Sequence, residues 1–228
     1  SHPNSVALDI TSKTYAIDAG KNAVKESLKE AGYNAAVESS PAFPTIYRIK
    51  YELLAQPLLS LIIPNCDHKN DLEKCISSIL EKSTYPHYEI IIVENGSTQA
   101  DTFEYYKQLS AHPNIHIAEY TKPFNYSAVN NFGVSKAKGE YILLLNNDTE
   151  MINDNCLEEM LGYCQRSNVG AVGARLYYPD ETIQHAGVVI GLGGVAGHIF
   201  LGTPRGQIGY FAGIICAQDY SAVTAACM

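Results

Sequence analysis

The 228-residue sequence contains no apolar run of the ~20 residues that a membrane-spanning helix needs. Its longest apolar stretch, Ala186 to Gly202, holds His198 and six glycines, and so reads as glycine-rich loop and strand. A basic surplus is also missing. Sixteen Lys and Arg against 24 Asp and Glu leave a formal charge of −8, whereas a nucleic-acid binder needs cations to neutralise phosphates, so nucleic acid is excluded as the main partner. No CxxC pair is present, and no cysteine stands near a histidine at zinc-finger spacing. Cys66, Cys75, Cys156, Cys164, Cys216 and Cys227 are therefore expected to be buried, reduced thiols of a cytosolic protein. Internal repeats, low-complexity tracts and a secretory signal pattern are absent as well. A chain with 46% apolar and 18% charged residues folds. Its length suits one domain with a small extension.

From residue 57 onward, strand and helix patterns alternate. Leu58 to Ile63 and Glu89 to Val93 are short continuous apolar runs, the pattern of parallel strands buried on both faces. Between them, apolar positions 72, 75, 76, 79 and 80 predict a helix over 70–82, with Asn70 and Glu73 in capping-box spacing. A polar helix over about 99–110 comes next, then an alternating strand over 115–120. A helix over 126–138 is expected to close with Gly139 just past its end. Tyr141 to Leu145 predicts a fourth buried strand, 154–165 a helix, and Val169 to Tyr178 a fifth strand. Repeated strand–helix–strand units of ~30 residues imply an open α/β sheet, mostly parallel, with helices on both faces. Such sheets bind ligands beyond the carboxyl ends of their strands. Three polar stops fall on that rim: Pro64-Asn65-Cys66-Asp67, Glu94-Asn95-Gly96-Ser97 and Asn146-Asn147-Asp148. Residues 1–56 differ in texture and predict a small α+β extension: a helix over 19–31, a loop over 39–44 and an exposed strand over 46–51. The main domain is 57–228.

The motifs of the main domain carry a family resemblance. Leu59-Ser60-Leu61-Ile62-Ile63-Pro64 resembles the opening strand of family 2 glycosyltransferases, and Ile90 to Ser97 their VDNGS strand. Asn131-Phe132-Gly133, Ala137 and Gly139-Glu140-Tyr141-Ile142 resemble their helix-to-strand link. Leu144-Leu145-Asn146-Asn147-Asp148 sits where that family keeps its acidic, metal-binding motif. The stretch Gly170 to Gly187 is similar to a bacterial branch that builds surface polysaccharides. The resemblance implies the GT-A fold and inverting transfer of a sugar from a UDP-, GDP- or dTDP-sugar to a glycan or lipid-linked acceptor. It implies a Mg²⁺ or Mn²⁺ ion bound mainly with the nucleotide, and a cytoplasmic protein that can lie at the inner face of the membrane. A diphosphate leaving group gains negative charge as the glycosidic bond breaks, which a divalent cation stabilises.

By the same resemblance, Asp148 is the metal carboxylate, and Asn147, in place of a frequent Asp, touches ribose. Glu94 and Asn95 would lie near base and ribose, with Pro64 and Cys66 lining the base pocket through their backbone. Asn131 would contact the donor sugar or diphosphate, and Gln184 and His185 would face the acceptor or diphosphate. The general base is expected beyond Met228, in which case this chain binds donor but transfers sugar poorly. Two alternatives are a sugar nucleotidyltransferase and a non-catalytic nucleotide-sugar-binding domain. The first needs a basic, glycine-rich phosphate loop after the first strand, and Cys66-Asp67-His68-Lys69-Asn70 is not one.

Overall fold

Consecutive apolar side chains leave the central strands no face to turn to water, and they are buried in the middle of a layered structure. The computed structural model describes residues 14–41 and 43–228. The stretch before Thr14 and residue Ala42, both within the expected extension, lie outside the described residues. The chain runs α1 (Thr14–Glu30), β1 (Ala35–Ser39), β2 (Tyr47–Tyr51), β3 (Leu59–Asn65), α2 (Lys69–Lys82), β4 (Tyr88–Glu94), α3 (Ala100–Leu109), β5 (Ile115–Glu119), α4 (Tyr126–Val134), β6 (Tyr141–Leu144) and α5 (Cys156–Cys164). Short strands β7 (Leu176–Tyr177), β8 (Ile183–His185), β9 (Val188–Ile190) and β10 (Ala196–His198) follow.

β5, β4, β3 and β6 form a four-stranded parallel sheet in that order. Side chains alternate between its faces. Leu59, Leu61, Ile63, Ile90 and Ile92 meet Leu72, Ile76 and Ile79 of α2, Tyr105, Tyr106 and Leu109 of α3, and Leu157 and Leu161 of α5. Ile62, Ile91 and Val93 point the other way, onto Val129 and Phe132 of α4. Each such buried branched side chain contributes about 1.5–3 kcal/mol relative to its exposed state. α4 lies close on the sheet because Gly133 has no side chain: a Cβ there would stand 2.8 Å from a Val93 methyl and closer still to Ile62.

Three sequence expectations are corrected by this packing. α4 ends at Val134 with Ser135 as its cap, so Gly139 is not a helix terminator. Instead Gly139 lies against β3, where a Cβ would meet Ser60 Oγ at 2.5 Å and Leu58 O and Ser60 N at 2.7 Å. α2 begins at Lys69 without a side-chain cap, because Asp67 (φ 54°) and His68 (φ 47°) bend the chain sharply before it. Glu73 then pairs with Lys69 at 2.5 Å rather than closing a capping box. Of the strand expected over 169–178, only Leu176–Tyr177 pairs, with β8. The place beside the end of β6 belongs to the chain's last residues. Leu145 bridges Cys227 antiparallel, Leu144 and Met228 exchange two hydrogen bonds of 2.9 and 3.0 Å, and Ala174 N–H donates to Cys227 O at 3.1 Å.

The described part of the N-terminal region is a helix and an antiparallel β1–β2 hairpin. It rests on α5 and the residues just after it. Tyr163 Oη donates to Ile49 O (3.0 Å), Gln165 Nε2 donates to Glu52 O (2.6 Å), and the Arg166 guanidinium lies 4.9 Å from the Tyr51 ring centroid. Cys75 and Cys227 are buried as expected, but Cys66 is exposed and the other three are half-buried. Among the described residues, no helix is long and apolar enough to cross a membrane.

Candidate functional site

The carboxyl ends of β3, β4 and β6 bring the three polar stops together. Asn65 closes β3 opposite Glu94, which closes β4. Glu94 is 6% exposed. Its carboxylate accepts from Ser97 N–H and Ser97 Oγ, each at 2.5 Å, and from Tyr106 Oη at 2.6 Å. A buried carboxylate survives when it is hydrogen-bonded in this way. The Glu94 oxygens thus accept three bonds from inside the protein. Burial and the Glu94 acceptor together push the Tyr106 phenol well above its ordinary value, so it stays a donor.

Asn95 behaves differently. Its Nδ2 donates to Tyr120 O (2.7 Å) and Lys122 O (3.0 Å), while its Oδ1 is buried without a partner. A buried acceptor left without a partner carries a desolvation cost. Pro64 is half-buried and Cys66 exposed on the loop leaving β3. Burial, with Asp67 and Glu94 nearby, holds the Cys66 thiol above its ordinary value. Asp67, passed over in the sequence, joins the loops after β3 and β4: its Oδ1 accepts from Thr98 N–H and Gln99 N–H, each at 2.9 Å. The Gln99 bond is foremost in holding its carboxyl below the ordinary range.

In the turn after β6, Asn147 is half-buried and Asp148 exposed. Asn147 Nδ2 donates to Asn65 Oδ1 at 2.6 Å. Asp148 makes no ion pair among the described residues. No three His, Cys, Asp or Glu side chains among the described residues stand close enough together to hold an ion. The exposed Asp148 carboxylate, with no group of three such ligands around it among the described residues, fits a divalent cation that takes its remaining ligands from substrate phosphates, and does not fit a self-sufficient metal cage.

Asn131 is exposed on α4. Its neighbour Asn130 is 4% exposed, donates Nδ2 to Tyr126 O and leaves Oδ1 without a partner. The helix phase thus turns the residue before Asn131 toward the sheet. Tyr126 Oη ties the start of α4 to the rim through Ala225 O (3.1 Å) and Asn146 Oδ1 (3.3 Å). Gln184 and His185 lie in β8. Gln184 is half-buried, while His185 is 2% exposed, with Nδ1 2.9 Å from His198 Nδ1 and Nε2 3.4 Å from Thr224 N. Burial, then the neighbouring His198, lowers the His185 pKa to about 4. Thr224 stands two residues before Ala226, whose carbonyl accepts from Asn146 N–H at 3.0 Å. The histidine pair therefore flanks the segment that borders the rim. Tyr106, Asn65 and Asp67 were not singled out in the sequence. The positions 102, 105, 106 and 109 do carry a helical inward stripe, which marks Tyr106 as buried.

Known proteins identify the family and the fold. The family model described as "Glycosyl transferase family 2" matches residues 60–191. The uncharacterized protein y4gI of Sinorhizobium fredii is 45% identical over 99% of this chain, which spans 25% of that protein. The O-antigen biosynthesis protein RfbC of Myxococcus xanthus is 39% identical over 93% of this chain, which spans 16% of it. Among solved structures, the mannosyltransferase PcManGT from Pyrobaculum calidifontis, in complex with GDP-Man and Mn²⁺, superposes with a TM-score of 0.50 at 17% identity. That likeness covers 73% of this chain and 46% of the other, and identifies the fold as GT-A. The chain belongs to glycosyl transferase family 2.

Proposed function

We propose that this chain is the donor-binding part of an inverting glycosyltransferase that moves a sugar from a nucleotide-sugar to a hydroxyl of a growing surface polysaccharide or its lipid-linked precursor. The observation that carries this reading is the rim itself. It offers an exposed carboxylate at Asp148 and an unsatisfied buried acceptor at Asn95 Oδ1, while the carboxylates of Glu94 and Asp67 are engaged internally. The Myxococcus relative named for O-antigen biosynthesis, and the Bacillus subtilis relative named as a putative teichuronic acid biosynthesis glycosyltransferase, support the polysaccharide acceptor.

In this reading Asn95 Oδ1 accepts from an N–H of the base, and the backbone at Pro64 and Cys66 lines the base. Asn147 takes the ribose. Asp148 holds the divalent cation. When bound with the diphosphate, that cation offsets the charge that develops on the leaving group. Asn131 borders the donor sugar or diphosphate. Gln184, beside the rim-bordering segment, faces the acceptor. His185 is not the base, because both ring nitrogens are engaged and its low pKa makes it a weak proton acceptor. We place residues 57–228 as the catalytic unit's donor half, with the N-terminal region as a brace on α5, and the protein on the cytoplasmic side of the membrane.

The test is a calorimetric titration with UDP, GDP and dTDP, each with and without Mn²⁺, followed by a donor-hydrolysis assay. Binding of one nucleoside diphosphate, strengthened by Mn²⁺ and weakened by Asn95→Ala, is the expected result. Absence of binding to all three under both conditions would overturn the reading. Pyrophosphate-dependent turnover would favour the nucleotidyltransferase.

A further inference from the structure

The hydrogen bonds behind the rim run in one direction. Glu94 ends β4, Tyr106 lies on α3, Asn65 ends β3 and Asn147 sits in the turn after β6, so four separate elements are joined by three short links. Asn147 Nδ2 donates to Asn65 Oδ1 (2.6 Å), Asn65 Nδ2 donates to Tyr106 Oη (2.8 Å), and Tyr106 Oη donates to Glu94 Oε2 (2.6 Å). A second bond from Asn65 Nδ2, to Asp67 O at 2.9 Å, fixes the same amide orientation. Asn65, Glu94 and Tyr106 are all buried, at 3%, 6% and 6% exposure, and in such surroundings a reversed amide would set like atoms against each other. A carboxylate at the inner end only accepts, so each donor above it has its direction imposed. The chain ends on an Asn147 that spends its N–H inward and leaves Oδ1 for the rim.

We propose that Tyr106 and Asn65 are positioning residues that lock the Asn147 side chain with its oxygen outward and so hold the turn presenting Asp148. The same chain of bonds calls for an N–H donor at 147, which asparagine supplies. An aspartate there has no N–H to give, so it would face Asn65 Oδ1 oxygen to oxygen. Asn65 would then have to reverse, turning its oxygen toward Tyr106 and Asp67 O and breaking the link to Glu94. The outward oxygen suits a sugar hydroxyl, which in the donor reading above is the ribose. The direction of the chain does not depend on that reading.

The experiment is a mutant cycle between Tyr106→Phe and Asn147→Asp, with Tyr105→Phe as control, since Tyr105 is buried beside Tyr106 but outside the chain. The readouts are the urea midpoint, hydrogen exchange of the Asn147 side-chain amide, and affinity for the nucleoside diphosphate that the native chain binds best in Mn²⁺. Asn147→Asp should lower the midpoint in the native background and less in Tyr106→Phe, where only the bond to Asp67 O still opposes reversal of Asn65. Tyr106→Phe should expose the Asn147 amide to exchange and weaken Mn²⁺-nucleotide binding roughly fivefold or more, whereas Tyr105→Phe should stay within about twofold. Equal cost of Asn147→Asp in both backgrounds, or an Asn147 amide unaffected by Tyr106→Phe, would overturn the proposal. If the native chain binds no nucleotide while the cycle still shows coupling, the donor reading fails and the directed chain stands.

Discussion

Replacing Gly139 with alanine puts a methyl group where the link into β6 touches β3. Two of the three atoms it would meet, Leu58 O and Ser60 N at 2.7 Å, are backbone and cannot rotate away. The third, Ser60 Oγ, accepts from Gly139 N–H at 2.8 Å and donates to Glu89 Oε1 at 2.6 Å, while Lys138 N–H donates to the same carboxylate oxygen at 2.7 Å. The strand must back off, and Glu89, 5% exposed, then loses at least one partner. Overpacking costs about 1–3 kcal/mol, and a weakened bond to a buried carboxylate about 1–3 kcal/mol more. The expected total is about 2–6 kcal/mol, a large share of the 5–15 kcal/mol that holds a typical domain folded. Urea unfolding followed by far-UV circular dichroism measures it. Gly170→Ala is the matched control, because a Cβ there meets nothing within 4 Å. That control should move stability by no more than about 0.5 kcal/mol. Indistinguishable midpoints for the two variants would refute the packing argument.

Other outcomes follow from the same structure. Burial opposes ionisation of Glu89, but bonds from Ser60 and Lys138 N–H and the charges of Lys138 and His116 outweigh it and hold the pKa below the ordinary glutamate range. Its contribution is therefore present above about pH 4.3 and lost as pH falls through the depressed value, and Glu89→Gln should remove that acid-limb loss in urea titrations. His185, lowered to about 4, resists protonation in the fold. Stability should fall between about pH 6.5 and pH 4 as the unfolded chain takes up the proton, and His185→Gln should flatten that window. Burial pushes the Cys75 thiol up to about 12, and Cys227 is buried too, whereas Cys66 is exposed. A maleimide should label Cys66 first, mass spectrometry should locate it, and bound nucleoside diphosphate should slow it. Labelling of Cys75 at the same rate would contradict the assigned burial.

The parts of the fold that were readable in the sequence are those where burial is written in consecutive residues. β3 and β4 are apolar on both faces because helices cover both, and the polar stops at Asn65, Glu94 and Asp148 mark one rim because parallel strands end on the same side. Contacts between segments distant in sequence could not be read. Gly139 looked like a helix end, since a glycine required by strand proximity and one required by a left-handed turn are the same letter. Val169 to Tyr178 has strand composition, but the last residues of the chain occupy the position beside β6. Glu94 reads as a rim acceptor, but the bond it accepts from Tyr106, twelve residues later, is not legible. Asn65 is legible only as part of a polar stop, because its bonding role is set by partners on α3 and after β6.

The central claim is that Asp148 joins a divalent cation to a nucleoside diphosphate on this rim. The most direct measurement is the ratio of nucleotide affinity with and without Mn²⁺, in the native chain and in Asp148→Asn. The account predicts a gain of about tenfold or more with Mn²⁺ in the native chain. In Asp148→Asn most of that gain should be lost, with metal-free affinity changed by less than about twofold. An undiminished Mn²⁺ gain in Asp148→Asn, or tight Mn²⁺ binding without nucleotide that this substitution leaves unchanged, would contradict it.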